Sequence, residues 1–520
     1  MVTVMSPPVV LGTAPLTVDE VVAVARDGAP VVLAPEALAR MAASHRVIRS
    51  LADDPRPHYG VSTGFGALAT VQIPADRRRQ LQRSLIRSHA AGTGPEVERE
   101  VVRALMLLRL QTLATGHTGV RPIVAETAAA VLNAGITPVV HEYGSLGCSG
   151  DLSPLAHCAL ALLGEGEVHV GGARVPAADA LRAAGIEPLV LAEKEGLALI
   201  NGTDGMLGML CLALHDLTRL LRVADVAAAM SVEALLGTDA VFAPELHALR
   251  PHPGQVSAAR NMRRVLTGSH LVRRPQAGVF TRVQDAYSLR CAPQVHGAVR
   301  DTVRHAASVA EVELGSAIDN PVVLDDGRVE SNGNFHGAPV GYVLDFLAIG
   351  VADLASMSER RTDRFLDVAR SHGLPPFLAA DPGLDSGLMI AQYTAAGIVS
   401  ELKRLATPAS VDSIPSSAMQ EDHVSMGWAA GRKLRRAVDG LARVLAIELL
   451  ASTRALDLRD AAGTDRPSPV SDAVRALLRT RIPAADIDVF VSPAIEAAHG
   501  FIASGEVLDA VRHALGDDLE

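Results

Sequence analysis

Five stretches of this chain, 192–236, 293–316, 338–368, 385–406 and 416–458, set apolar residues at spacings of three and four over lengths that no strand reaches. A helix of that length buries one stripe and needs neighbours of similar length to bury it against, so the pattern predicts a bundle. Its interior has to be built from small aliphatic side chains, because 48% of the 520 residues are hydrophobic while only 3% are aromatic. Ala, Leu and Val without rings favour close-packed helices. Strand signals are confined to short hairpins, such as Glu167 to Val175 around Gly171-Gly172 and Pro321 to Glu330 around Asp326-Gly327. Thr17-Val18-Asp19-Glu20 reads as a capping box opening a helix that ends at Gly28, and Pro95 reads as the first-turn proline of a helix over 96–115. The expected fold class is mainly α, a long central helix bundle with a few short β-hairpins. Three regions are expected: 1–200, a central bundle over 201–460, and a helical C-terminal cap over 461–520.

The formal net charge of −10 argues against nucleic acid as a partner, and short basic clusters such as Arg77-Arg78-Arg79 read as solvated helix faces. Cys148, Cys158, Cys211 and Cys291 stand far apart with no C-x-x-C pair, so neither a disulfide framework nor a zinc site is expected. The segment MVTVMSPPVV lacks the charged and apolar regions of a signal peptide, and the Ala-rich helical stretches meet charges such as Asp225 and Glu233 before reaching membrane length. The expectation is a cytoplasmic protein with no membrane partner.

The most informative short segment is Gly144-Ser145-Leu146-Gly147-Cys148-Ser149-Gly150-Asp151-Leu152-Ser153-Pro154-Leu155-Ala156-His157. If the amide nitrogen of Gly150 attacks the carbonyl carbon of Cys148, a five-membered ring closes, and loss of water from Ser149 leaves an exposed methylidene. The product is a methylidene-imidazolone (MIO), an electrophile that no ordinary side chain supplies. Glycine at 150 leaves its nitrogen unhindered and permits the tight bend, Ser149 supplies the hydroxyl to eliminate, and Asp151 is placed to assist the proton transfers. A bare Cys-Ser-Gly triplet would read as a turn before a helix near Pro154. A G-x-S-x-G nucleophile elbow does not fit, because the glycines stand at 147 and 150 around Cys148-Ser149.

Together with the motifs below, this segment resembles the aromatic amino-acid ammonia-lyase family, and the resemblance runs from about Thr17 to the last helices. The family triad is more often Ala-Ser-Gly; Cys148 departs from it, with no loss of chemistry expected because that side chain stays outside the ring. The resemblance implies a mainly helical homotetramer whose active sites draw residues from three subunits. It also implies an MIO formed autocatalytically from Cys148-Ser149-Gly150, with no external cofactor and no metal.

An ammonia-lyase must remove a weakly acidic β-proton and expel a poor leaving group. Tyr59, in His58-Tyr59-Gly60-Val61-Ser62-Thr63-Gly64-Phe65-Gly66, matches the family base. An ordinary tyrosine ionises near pH 10, so a phenolate at pH 7 costs about 4 kcal/mol, which nearby donors have to offset. In Gln284-Asp285-Ala286-Tyr287-Ser288-Leu289-Arg290, Arg290 offers a planar fork for the substrate carboxylate, supported by Tyr287 and Gln284. Asn201 resembles the family asparagine near ring and substrate, and Phe335 the aromatic beside the substrate. Ser88-His89 resembles histidine-specific members, where phenylalanine-type relatives have an apolar pair and tyrosine-type relatives a His-Leu pair. Glu421, in Met419-Gln420-Glu421-Asp422-His423, has the same implication. An imidazole needs polar partners, and a site supplying them rejects a phenyl ring.

The expected activity is therefore elimination of ammonia from L-histidine to give trans-urocanate, the first step of histidine degradation. The alternative is a tyrosine or phenylalanine ammonia-lyase or aminomutase. Two readings from other classes are a Cys148 catalytic thiol and a metal binder; the 18 histidines show no H-E-x-x-H, which weighs against the latter.

Overall fold

The computed structural model of the chain describes residues 7–12, 14–52, 54–272, 283–462 and 465–520. Four long helices dominate it: Asp204–Ala234, Ala292–Leu314, Ala338–Leu366 and Gly427–Ala462. Their buried faces are mostly aliphatic, with Phe365 and Trp428 among the few buried rings; Ala224, Val226, Ala227, Ala228 and Ala229 are all fully inaccessible. Where a face is built of Ala and Val alone, helix axes must lie close for it to fill space. Ala338–Leu366 is long and apolar enough to cross a membrane, but 61% of its apolar window is buried inside the protein, as in a core helix.

By backbone contacts the chain divides into two units. One comprises residues up to His215, Ala306–Asp345 and Pro408–Arg432; the other comprises Asp216–His305, Phe346–Thr407 and Lys433–Glu520. Each of the four long helices contributes residues to both.

In the first unit the capping box is present: Thr17 Oγ1 accepts from Glu20 N at 3.2 Å, and Glu20 Oε2 accepts from Thr17 N at 2.8 Å. Its helix, Val18–Val22, widens into a π-turn over Ala23–Asp27 and stops at Gly28 with φ 73°. Pro95 is a different case, lying in the strand Thr93–Glu96, which pairs with His141–Tyr143, while the helix starts only at Arg99 and runs to Ala114. The register of that pair shifts between Thr93 and Glu96, an irregularity that accommodates a residue with no N–H. Both expected hairpins form, Glu167–Val170 with Ala173–Pro176 and Val322–Val323 with Val329–Glu330.

Two long helical patterns are interrupted. The stretch 192–236 becomes Glu195–Ile200, a bend at Asn201-Gly202-Thr203, and then Asp204–Ala234. The stretch 416–458 is helical only from Gly427; before it, Ser416 and Glu421 pair across a tight loop. Both interruptions adjoin the Cys148-Ser149-Gly150 segment. In the second unit, buried Glu448 takes a two-point contact from Arg361 and the hydroxyls of Ser231 and Ser358 at 2.7 and 2.6 Å, which satisfies a charge deep among aliphatic helices.

Candidate active site

Cys148-Ser149-Gly150 lies between the strand His141–Tyr143 and the helix Leu152–Leu162. Gly150 has φ +76°, and a Cβ there would stand 2.0 Å from the Gly202 carbonyl oxygen, so only glycine fits. Among the described residues the Gly150 N–H has no hydrogen-bond partner, whereas the next amide, Asp151 N, donates to Gly202 O at 2.7 Å. Upstream, Gly147 O accepts from Ser425 Oγ at 2.9 Å and from Gly337 N at 3.1 Å, and Leu146 O accepts from Met426 N at 2.8 Å. The triplet is thus anchored at both ends by three other segments while the Gly150 nitrogen stays unengaged. These residues fit an MIO ring, whose closure requires fixed anchors and a free nitrogen.

Asp151 ties the loop to the long helix. Its Oδ2 accepts from Gly205 N and Met206 N, both at 2.9 Å, and its Oδ1 accepts from Ser145 Oγ at 2.9 Å. Complete burial nevertheless pushes this carboxyl up to about 7, against the opposing pull of those donors. A carboxyl that titrates near neutrality is suited to passing protons.

Cys148 is 6% exposed, and its thiol donates to Glu421 Oε2 at 2.9 Å. Burial first, and the Glu421 carboxylate second, push the thiol up to about 12. A thiol so far from ionising is a poor nucleophile, which weighs against a catalytic-cysteine reading. Glu421 is half-buried on the return arm of a loop in which Ser417, Ala418 and Met419 have φ of 52°, 52° and 69°. Backbone bonds of 2.8 and 3.3 Å between Ser416 and Glu421 close that loop.

His89 ends the helix Arg78–His89, with Nδ1 2.9 Å from Leu85 O and 3.0 Å from Ser88 Oγ. A carbonyl partner requires Nδ1 to carry the proton, so Nε2 is the acceptor in the neutral ring. Burial lowers the His89 pKa, while the Leu85 carbonyl and the charge of Glu421 partly oppose it. His89, Glu421 and Cys148 therefore share one electrostatic neighbourhood.

Tyr59 accepts at its hydroxyl oxygen from Gly66 N at 3.1 Å and meets Phe65 edge-on, with ring centres 6.4 Å apart. Gly66 in turn lies against the loop of Glu421: a methyl group at 66 would come within 3.5 Å of Ser417 Oγ. Asn201 closes its short helix and donates from Nδ2 to Asn320 O at 3.1 Å, while its Oδ1 is buried without a partner among the described residues. An orphaned buried acceptor costs about 1–3 kcal/mol, so a donor is owed at that point. Phe335 is half-buried two residues before Gly337, the residue bonded to Gly147.

Gln284, Tyr287 and Arg290 belong to the second unit. The Arg290 guanidinium stacks 4.5 Å from the Tyr287 ring centre and its Nε donates to Asp285 O at 2.9 Å. Gln284 is exposed and Tyr287 is 70% exposed, so this cluster faces outward within its own unit.

Sequence reasoning missed Arg109, Ser145 and Ser425. Arg109 Nη1 donates to Ala198 O and Asn201 O at 3.0 and 2.9 Å, and Nη2 reaches Ile318 O at 3.1 Å and pairs with Asp204 at 2.8 Å. The signal was available: it is the one charge in the apolar run Ala104 to Ala114, and a buried charge must have partners. Ser145 and Ser425 carry no such signal. Among the described residues, no group of three or more His, Cys, Asp or Glu is arranged to hold a metal ion.

Residues 16–480 match the family model described as aromatic amino acid lyase. The histidine ammonia-lyase of Streptomyces griseus is 64% identical over 510 residues, covering 98% of this chain and 99% of its own length. That of Symbiobacterium thermophilum is 50% identical, covering 96% of this chain and 98% of its own. Of solved structures, the tyrosine aminomutase of Streptomyces globisporus matches with a TM-score of 0.93 at 38% identity, over 99% of this chain and 100% of its own. The histidine ammonia-lyase of Trypanosoma cruzi matches with a TM-score of 0.89 at 39% identity, over 98% and 95%. A helical fold of this type, a glycine-locked Cys-Ser-Gly loop and likeness along nearly the full chain lead to one assignment: the protein belongs to the aromatic amino acid lyase family.

Proposed function

We propose that this protein eliminates ammonia non-oxidatively from L-histidine, giving trans-urocanate, the first step of histidine degradation. What supports the reading is that Glu421 contacts Cys148 and interacts electrostatically with His89, in a chain 64% identical to a histidine ammonia-lyase. Both groups present acceptors, which match ring N–H donors; a phenyl ring would leave them desolvated and unpaired.

Cys148-Ser149-Gly150 would hold the methylidene-imidazolone, which supplies an electrophilic carbon that makes the substrate amine a better leaving group. The remaining work falls to side chains. Tyr59 takes the β-proton, with Gly66 N–H holding its oxygen. Arg290 forks the α-carboxylate with its planar guanidinium, oriented by its stack on Tyr287 and accompanied by Gln284. Asn201 Oδ1 receives the donor it lacks, Phe335 packs beside the substrate, and Asp151 passes protons during ring formation. No external cofactor or metal is required. The working form in this reading is a cytoplasmic homotetramer with active sites shared between subunits.

The test is turnover monitored as urocanate absorbance from histidine, against coumarate from tyrosine and cinnamate from phenylalanine, with intact mass measured on the same sample. Urocanate formation by a chain two waters lighter than its encoded sequence is expected. Activity confined to tyrosine or phenylalanine would overturn the substrate, and an unmodified mass in active protein would overturn the electrophile.

A further inference from the structure

We propose that Cys148 is a positioning residue for substrate discrimination: its thiol holds one oxygen of Glu421 and so presents the other to a ring nitrogen of the substrate. The inference rests on the reading of the protein as a histidine lyase and extends it to a residue that the ring chemistry itself does not need.

Glu421 Oε2 receives the Cys148 thiol at 2.9 Å and the Ser416 hydroxyl at 3.3 Å, while Oε1 has no partner among the described residues. One oxygen is occupied by the protein and one is left open. The Cys148 side chain hangs outside the five-membered ring, so its donor survives ring closure. Only residues 148–150 enter the ring, and Glu421 is 273 positions away in sequence, so the contact couples the electrophile's first residue to the specificity loop. Alanine at 148, the commoner family residue, would leave Oε2 with Ser416 alone, free to rotate about the Cγ–Cδ bond. Because burial keeps the thiol protonated at neutral pH, it remains a donor there.

The test uses full-length Cys148→Ala and Cys148→Ser. Both are expected to be two waters lighter than encoded, which shows that the electrophile forms. For Cys148→Ala, KM for histidine is expected to rise about fivefold with kcat within about twofold, the loss of one donor to a charged group. Inhibition by L-phenylalanine, which has no ring nitrogen, should be unchanged. Cys148→Ser restores a donor to the same oxygen and should return KM to within about twofold of the parent. In a Glu421→Ala background the Cys148→Ala effect should vanish, since both acceptor oxygens are gone. An unchanged KM, an equal loss for histidine and phenylalanine, or failure of serine to restore KM would overturn the inference. If the alanine chain keeps its waters, the serine variant decides alone, and a KM rise beyond about twofold overturns it. Absence of histidine turnover in the parent protein would instead overturn the functional reading.

Discussion

Asp151 shows how far the setting of one side chain can depart from its usual chemistry. A carboxylate wholly out of water is costly, and three donors, Gly205 N, Met206 N and Ser145 Oγ, reduce that cost without removing it. With its folded-state pKa at about 7 and an ordinary value of 3.8, the folded chain holds the extra proton between those limits. Its contribution to stability is therefore present at low pH and is lost as pH rises through about 7. Asp151→Asn keeps an acceptor but cannot pass a proton. At pH 8 it is expected to melt no lower than the parent while keeping its encoded mass; full loss of two waters in this variant would remove Asp151 from ring formation. His157 has the opposite sign. Its Nε2 accepts from Gly92 N at 3.1 Å, and burial, then His141, lower its pKa. The unfolded chain then takes up the proton first, so stability falls as pH drops below about 6.5. His157→Gln should gain urea midpoint relative to the parent as pH falls from 7.5 to 5.5, a difference in which the opposite contribution of Asp151 cancels; an unchanged difference would remove His157 from the pH dependence.

At the scale of elements, sequence periodicity was followed except beside the Cys-Ser-Gly loop. The capping box, both hairpins and the long helices depend on neighbours a few residues away, so contiguous sequence encodes them. The break at Asn201-Gly202-Thr203 has a distant cause. Arg109 takes the carbonyls of Ala198 and Asn201, which a continuing helix would use for its own amides, and Asp204 pairs with the same guanidinium. A Cβ on Gly202 would land 2.0 Å from Arg109 Nη2, so the bend has no room for a side chain. Arg109→Met leaves Asp204 buried and unpaired and is expected to cost about 3–5 kcal/mol in urea unfolding. It should also impair ring formation, read as an encoded-mass fraction in the surviving folded protein. A loss under about 1 kcal/mol would mean that the bend stands without its arginine.

For the whole molecule, the expectation that matters most is sharing of sites between subunits. Tyr59 belongs to one unit of the chain, and Arg290, with the exposed Tyr287, to the other. Tyr59→Phe and Arg290→Lys should each lose most activity, about a hundredfold or more for Tyr59 if it acts as the proposed base. If each site takes the two residues from different subunits, co-expressing the variants restores some sites with both residues intact, about a quarter under random assembly. Co-expressed protein with no recovered activity would place both residues of a site on one chain.

From contiguous residues alone came the helical class, the aliphatic core, the caps and hairpins, and a triplet able to build an electrophile. Each is a matter of periodicity, local hydrogen bonding or adjacent bonds, and these act over a few residues. Only tertiary structure decided that Pro95 enters a strand, that Asp151 caps the long helix, that Arg109 stops a helix at Asn201, and that the Cys148 thiol reaches Glu421. Such contacts join residues far apart in the chain. They are set by which surfaces pack together and by the need of every buried polar group for a partner, and no local pattern encodes either.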